Sequence, residues 1–133
     1  MTVRATVAAI RRPKPRGRPA KAKIPSDVRQ RLDWLVSALG NNKVAELLGV
    51  NRSQPSRWRS GKEGLAPENR RAVLDLDYVV ARLHESWVPE VAALWLRGSN
   101  PHLGGAVPLD VLRLRGAADV IHAIDAEDQG AYA

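Results

Sequence analysis

Large apolar residues return at intervals of three and four from residue 26 to residue 124, a spacing that predicts helices throughout. Val28, Leu32, Leu35 and Leu39 form the first such stripe, opened by Ser26 as a cap with Asp27 in the first turn and closed by Gly40. Asn41 or Asn42 then caps a short helix over 43–48 that ends at Gly49, and a third helical piece covers about 53–60 before Gly61. From Pro67, a good first-turn residue, Val73, Leu76, Val80, Leu83 and Trp87 predict a long amphipathic helix that Pro89 stops. Pro89 opens another helix carrying Val91, Leu94, Trp95 and Leu96, ended by Gly98. After the loop SNPHLGGAVP, a helix from Pro108 holds Leu109, Val111 and Leu112, and a last one holds Val120, Ile121 and Ile124. The tail AEDQGAYA then closes the chain. No run alternates with period two and no segment repeats, so the expected fold is all-α.

Composition separates the front of the chain from this helical body. Residues 1–25 hold eight Lys/Arg, four prolines and no carboxylate, with few large apolar side chains, and such a segment does not offset its own ordering entropy. We expect a mobile basic arm over 1–25, a first domain over 26–65 and a second over 66–133. The net charge of +7 is divided unevenly. Residues 1–71 carry seventeen Lys/Arg against five Asp/Glu, and residues 72–133 carry four against nine. A basic half is the footprint of a polyanionic partner, because neutralised phosphates release counterions; an acidic half serves something else.

The strongest local pattern is NNKVAELLGVNRSQPSRWRSG, residues 41–61. Two closely crossing helices need a small residue inside the first and a tight turn between them, and Ala45 and Gly49 supply these. Val44, Leu48, Val50 and Trp58 are the expected joint core. Arg52, Ser53, Gln54, Ser56, Arg57 and Arg59 dress the second helix with hydrogen-bonding groups and positive charge, as base recognition requires. The stretch resembles the helix-turn-helix of Xre-type regulators over about twenty residues. It departs from them at Pro55, which stands where those proteins more often have an aliphatic core residue, so the recognition helix is expected to start late with Ser53 as its cap.

PRGRP, residues 15–19, matches the core of an AT-hook. Glycine lets the backbone lie on the floor of a narrow minor groove, prolines keep the segment extended, and Arg16 and Arg18 reach along the groove where negative potential is concentrated. A solvated basic tail is the competing reading of the same five residues.

The segment WLRGSNPHLGGAVPLDVLRLRGAADVIHAID, residues 95–125, resembles the toxin-binding region of antitoxins of the RES-Xre toxin-antitoxin family, the Xre/MbcA/ParS group. The resemblance rests on Trp95, the Asn100-Pro101 loop with Leu103, Gly104 and Gly105, Pro108 with Leu109 and Leu112, and the closing helix with Val120, Ile121 and Ile124. It extends over about 30–133 and omits the arm. It implies a protein that neutralises a RES-domain toxin consuming NAD, with the antitoxin's C-terminal end near the toxin's active-site entrance. By position that end is residues 124–133, expected to be a flexible blocking peptide. Asp125, Glu127 and Asp128 would pair with toxin arginines, with Gln129, Gly130, Tyr132 and Ala133 beside them and Tyr132 filling an apolar recess.

Other chemistry is set aside. There is no cysteine, and His84, His102 and His122 are too far apart to form a metal motif. No HExxH, glycine-rich phosphate loop or G-x-S-x-G occurs, so neither catalysis nor a bound cofactor is expected. Gly104 and Gly105 suit a turn with positive φ. Trp34 lies off the first stripe and is expected half exposed, in a subunit contact or as partial core. No apolar run approaches the ~18 residues that span a bilayer, and with no cysteine the expected compartment is the cytoplasm, at the nucleoid when bound to DNA. The sequence thus reads as a DNA-binding antitoxin, expected to be a homodimer on its own promoter and to need no membrane. Two alternatives stay open: a stand-alone helix-turn-helix repressor, of phage origin or otherwise, and a nucleoid structural protein that coats AT-rich DNA.

Overall fold

A computed structural model describes residues 26–131. The expected arm with Arg16 and Arg18, and the terminal Tyr132 and Ala133, lie outside the described residues. The described chain is all-α: α1 Ser26–Leu39, α2 Asn41–Leu48, α3 Ser53–Ser60, α4 Pro67–His84, α5 Pro89–Arg97, a 3₁₀ turn Pro101–Leu103, α6 Pro108–Arg115 and α7 Ala118–Ala131. No strand occurs among the described residues. No described helix is long and apolar enough to cross a membrane. The chain divides between Arg70 and Arg71 into two compact units.

In the first unit α1 packs on α2 and α3, and α2 packs on α3. Val28, Leu32 and Leu35 of α1, Val44, Ala45 and Leu47 of α2, and Trp58 of α3 are buried. Leu47 takes the place expected for Leu48, which is only half-buried, as is Val50. In a short helix the buried face is set by the crossing partners, so Val44, Ala45 and Leu47 share it and Leu48 falls at its edge. Trp34 is half-buried, as its position off the stripe predicted.

The connection between α2 and α3 is a tight helix stop. Gly49 is left-handed at φ 72°, a conformation that costs a side-chain-bearing residue about 1–2 kcal/mol. It lets the Val50 amide donate to the Ala45 carbonyl at 2.9 Å and the Gly49 amide to the Glu46 carbonyl at 3.1 Å. Asn41 does not cap α2. Gly40 stands at that position without a side-chain bond, and Asn41 Nδ2 instead donates to the Arg52 carbonyl at 2.8 Å, tying the start of one helix to the start of the next. Ser53 is likewise the first residue of α3 and not its cap. Asn51 Oδ1 accepts from the Ser53 amide and from Ser53 Oγ, each at 2.9 Å. Pro55 is buried in the first turn of α3, where a missing N–H leaves no helical bond unmade, so it serves the core as an aliphatic residue would.

In the second unit α5 packs on α6, α6 on α7, and α7 on the 3₁₀ turn. Leu76, Val79, Val80 and Leu83 of α4, Ala92 and Leu96 of α5, Leu109, Val111 and Leu112 of α6, and Val120, Ala123 and Ile124 of α7 are buried. Asp77 is also fully buried, a polar core position that its apolar neighbours did not signal.

Asn51→Ala removes the acceptor that fixes the start of α3 and is expected to lower stability by about 1 kcal/mol, as lost helix caps do, measured by denaturant unfolding of the full chain.

Candidate functional site

Two surfaces, one in each unit, carry the residues that the sequence singled out. On the first, Arg52, Ser56 and Arg57 are exposed along α3 and the turn before it, and Ser53 and Gln54 are half-buried. Gln54 Nε2 donates to Glu63 Oε2, and Arg57 Nη1 lies 3.5 Å from Glu63 Oε1. Arg59 stands apart from this group. Its Nε donates to Asp33 Oδ1 of α1 at 2.7 Å, and its carbonyl accepts from Arg29 Nη2, so its guanidinium fastens α3 to α1. The charge expected to face a nucleic acid at Arg59 is therefore engaged inside the unit. Glu63, to which the sequence pattern assigns no role, contacts two of the six side chains.

On the second unit, α5 presents an apolar edge. Val88, Val91 and Leu94 recur every three residues and are all exposed, Leu94 to 71%. Trp95 is half-buried beside them, its ring 5.8 Å from that of Trp87 and tilted by 47°. The offset tilt is the arrangement that the ring quadrupoles favour. Trp95 Nε1 is buried and has no hydrogen-bond partner among the described residues. Leu114, 86% exposed, lines a groove of about 560 Å³ together with His102, Leu103, Ala106, Val111, Arg115, Asp119 and His122. Large apolar side chains left in water at neighbouring positions are the usual mark of an interaction surface.

Asn100 faces inward. It is 4% exposed, and its Oδ1 accepts from the His102 amide at 2.9 Å while its carbonyl accepts from the Leu103 and Gly105 amides at 3.0 and 2.8 Å. Its own amide donates to the Ala106 carbonyl at 3.0 Å. These bonds close the 100–106 loop, which sets Leu103 at the groove. Gly104 and Gly105 take the expected positive φ, 66° and 89°.

The C-terminal end differs most from its expectation. The helix does not stop near Ile124: α7 runs to Ala131, so Asp125, Glu127, Asp128, Gln129 and Gly130 are helical and not part of a flexible peptide. The cause is an ion-pair cluster with α4. Arg82 Nη2 donates to Asp125 Oδ1 and to Asp128 Oδ2, each at 2.8 Å, and Ser86 Oγ donates to Asp128 Oδ2 at 3.0 Å. The hydrogen bond with Asp128, then that with Asp125, outweighs partial burial and pushes the Arg82 pKa further up. Two carboxylates offered to toxin arginines are thus already engaged within the unit. Glu127 lies 3.6 Å from His102 Nε2, while Gln129 and Gly130 are exposed. Among the described residues no cluster of His, Cys, Asp or Glu is arranged to hold a metal ion.

Arg82→Ala is expected to destabilise the second unit by about 1.5–3 kcal/mol, the range for lost charge-assisted bonds, with loss of helicity beyond Ile124; thermal melts and amide exchange measure both. Asp75 gives a pH test. Burial pushes its carboxyl above the usual carboxylate range, against the opposing pull of Arg71 at 3.8 Å. An acid with a raised folded-state pKa costs stability when ionised, and the cost fades as pH falls through that value. Asp75→Asn is therefore expected to raise stability at neutral pH and to match the parent chain near pH 3, where the carboxyl is neutral in both states, as read by urea unfolding at the two pH values.

Residues 80–130, which span α5 to α7 and the end of α4, match the sequence model of the antitoxin Xre/MbcA/ParS C-terminal toxin-binding domain. The fold is similar to that of a chain in the crystal structure of the M. tuberculosis MbcT–MbcA toxin–antitoxin complex, with a TM-score of 0.62 at 23% identity, over 77% of this chain and 95% of that one. No curated protein matches the sequence. Over residues 80–130 the second unit is thus similar in sequence to the toxin-binding domain of Xre/MbcA/ParS-type antitoxins.

Proposed function

We propose that this protein is the antitoxin of a RES-domain toxin that degrades NAD, that residues 66–133 bind and occlude the toxin, and that residues 26–65 bind DNA at the protein's own promoter. The observation that carries the reading is the coincidence of the toxin-binding family match over 80–130 with the exposed apolar edge Val88, Val91 and Leu94 and the groove at Leu103 and Leu114. Such a face offers a dry centre for a protein interface, and Trp95 and Trp87 stiffen it.

Occlusion in this reading uses a helical wedge in place of a loose peptide. With Asp125 and Asp128 held by Arg82, the last turn presents Glu127, Gln129 and Gly130 in fixed register, followed in the chain by Tyr132 and Ala133. A pre-ordered end loses less entropy on binding than a flexible one. Toxin arginines that hold substrate phosphates would meet Glu127 and the outward lone pairs of the two aspartates.

On the DNA side, Arg52, Ser53, Gln54, Ser56 and Arg57 form the reading surface, and Arg59 supports it through Asp33. Arg16 and Arg18 of the arm would add salt-sensitive affinity in the minor groove. Two copies of the chain would place two α3 helices one turn of DNA apart. The setting is cytoplasmic, at the nucleoid when DNA is bound.

Leu94→Asp places a charge on the exposed edge without touching the core. It is expected to weaken binding to a RES-domain toxin by about 10–100-fold, the effect of losing an interface anchor, and to leave the melting temperature unchanged. Calorimetric titration and the NAD content of cells co-expressing the pair measure it; unchanged affinity would remove this edge from the interface.

A further inference from the structure

We propose that Glu63 is a positioning residue for DNA readout, one that lowers general affinity for nucleic acid while sharpening discrimination between sequences. The inference rests on the DNA-binding half of the proposed function. Its origin is a carboxylate on the reading face of the basic half of the chain.

Local structure brings it there. Gly61 ends α3 at φ 83°, and the Lys62 and Glu63 amides both donate to the Arg57 carbonyl, at 3.0 and 3.3 Å. The chain therefore folds back over the last turn of α3, and the Glu63 side chain returns along the helix. Gln54 and Arg57 are three residues apart and share a face. Glu63 meets both, with Oε2 accepting from Gln54 Nε2 and Oε1 3.5 Å from Arg57 Nη1. The Arg57 and Glu63 side chains are 54% and 37% exposed, so the cluster lies at the surface where a duplex would approach.

Two consequences follow from the donor inventory. A glutamine amide has two N–H groups and one carbonyl oxygen; with one N–H held by Glu63, the oxygen and the second N–H remain in a fixed orientation, the pair that an adenine edge requires. Arg57 keeps its remaining N–H donors for a guanine edge while its fork is steered by Glu63 Oε1. The second consequence is electrostatic. A carboxylate facing incoming phosphates opposes sequence-independent binding and penalises complexes in which Gln54 and Arg57 make no base contact to offset it.

The test uses the full chain, a duplex enriched from a random pool by the parent protein, and a scrambled duplex, with fluorescence anisotropy across a series of salt concentrations. Glu63→Ala is expected to bind the scrambled duplex about fivefold tighter, through loss of a like charge. The ratio of the two affinities should fall about tenfold, within the range of one lost base contact. Glu63→Gln removes the charge but keeps an acceptor for Gln54, so it should tighten scrambled binding equally and retain part of the ratio. An unchanged ratio in Glu63→Ala, or equal weakening on both duplexes, would overturn the positioning role. If the parent protein binds neither duplex, the DNA-binding reading itself fails, and the role of Glu63 with it.

Discussion

The Arg82 guanidinium faces two carboxylates from the far end of the chain, and the form of the second unit follows from that placement. Alone, a 14-residue helix with glycine in its last turn is marginal in water. The buried side chains of α7, Val120, Ala123 and Ile124, lie in its first half. Beyond Ile124 what remains is Asp125 and Asp128, three residues apart and so on one face, both donated to by Arg82 Nη2. This cluster differs in kind from the exposed pairs elsewhere. Lys43 with Glu46 within α2, and Arg115 with Asp119 across the turn between α6 and α7, are solvated near neighbours contributing about a few tenths of a kcal/mol, whereas Arg82 is three-quarters buried and shared between two aspartates, one of which also accepts from Ser86.

The exposed apolar surface of the second unit rests on the same anchor. α7 packs on α6 and on the 3₁₀ turn, and the 100–106 loop is closed internally by Asn100, so Leu103, Leu114 and the exposed edge of α5 stand on a fixed base. In the first unit the same division of labour appears in smaller form. Arg59, Asp33 and Arg29 hold α3 against α1, and Arg52, Ser56 and Arg57 are left facing outward. In both units some of the charged residues that look available in the sequence are structural, and their neighbours are the ones presented.

Much of this was legible in the residues, and the exceptions have physical causes. The apolar spacing located the helices to within a few residues because Gly40, Gly49, Gly61, Pro67, Pro89, Gly98 and Pro108 punctuate it so clearly. Leu47 was taken for Leu48 because a two-turn helix has too few positions to fix the phase of its buried face. The extension of α7 was missed because AEDQGA carries no apolar stripe, and the force that orders it comes from α4, some forty residues earlier. The loop-closing role of the Asn100 carbonyl is not legible in the sequence, because its donors, the Leu103 and Gly105 amides, are placed by the turn and not by any side-chain pattern. Glu63 was invisible for a similar reason: its partners are fixed by the reversal at Gly61, not by spacing on one helix.

The central claim is that the acidic C-terminal segment is an ordered helical edge held by Arg82 before any partner arrives. Amide hydrogen exchange of the free protein over residues 125–131 addresses this directly. The account predicts protection through Gly130, continuous with that of the Val120 to Ile124 turn. Exchange at the rate of an unstructured peptide from Asp125 onward would contradict it.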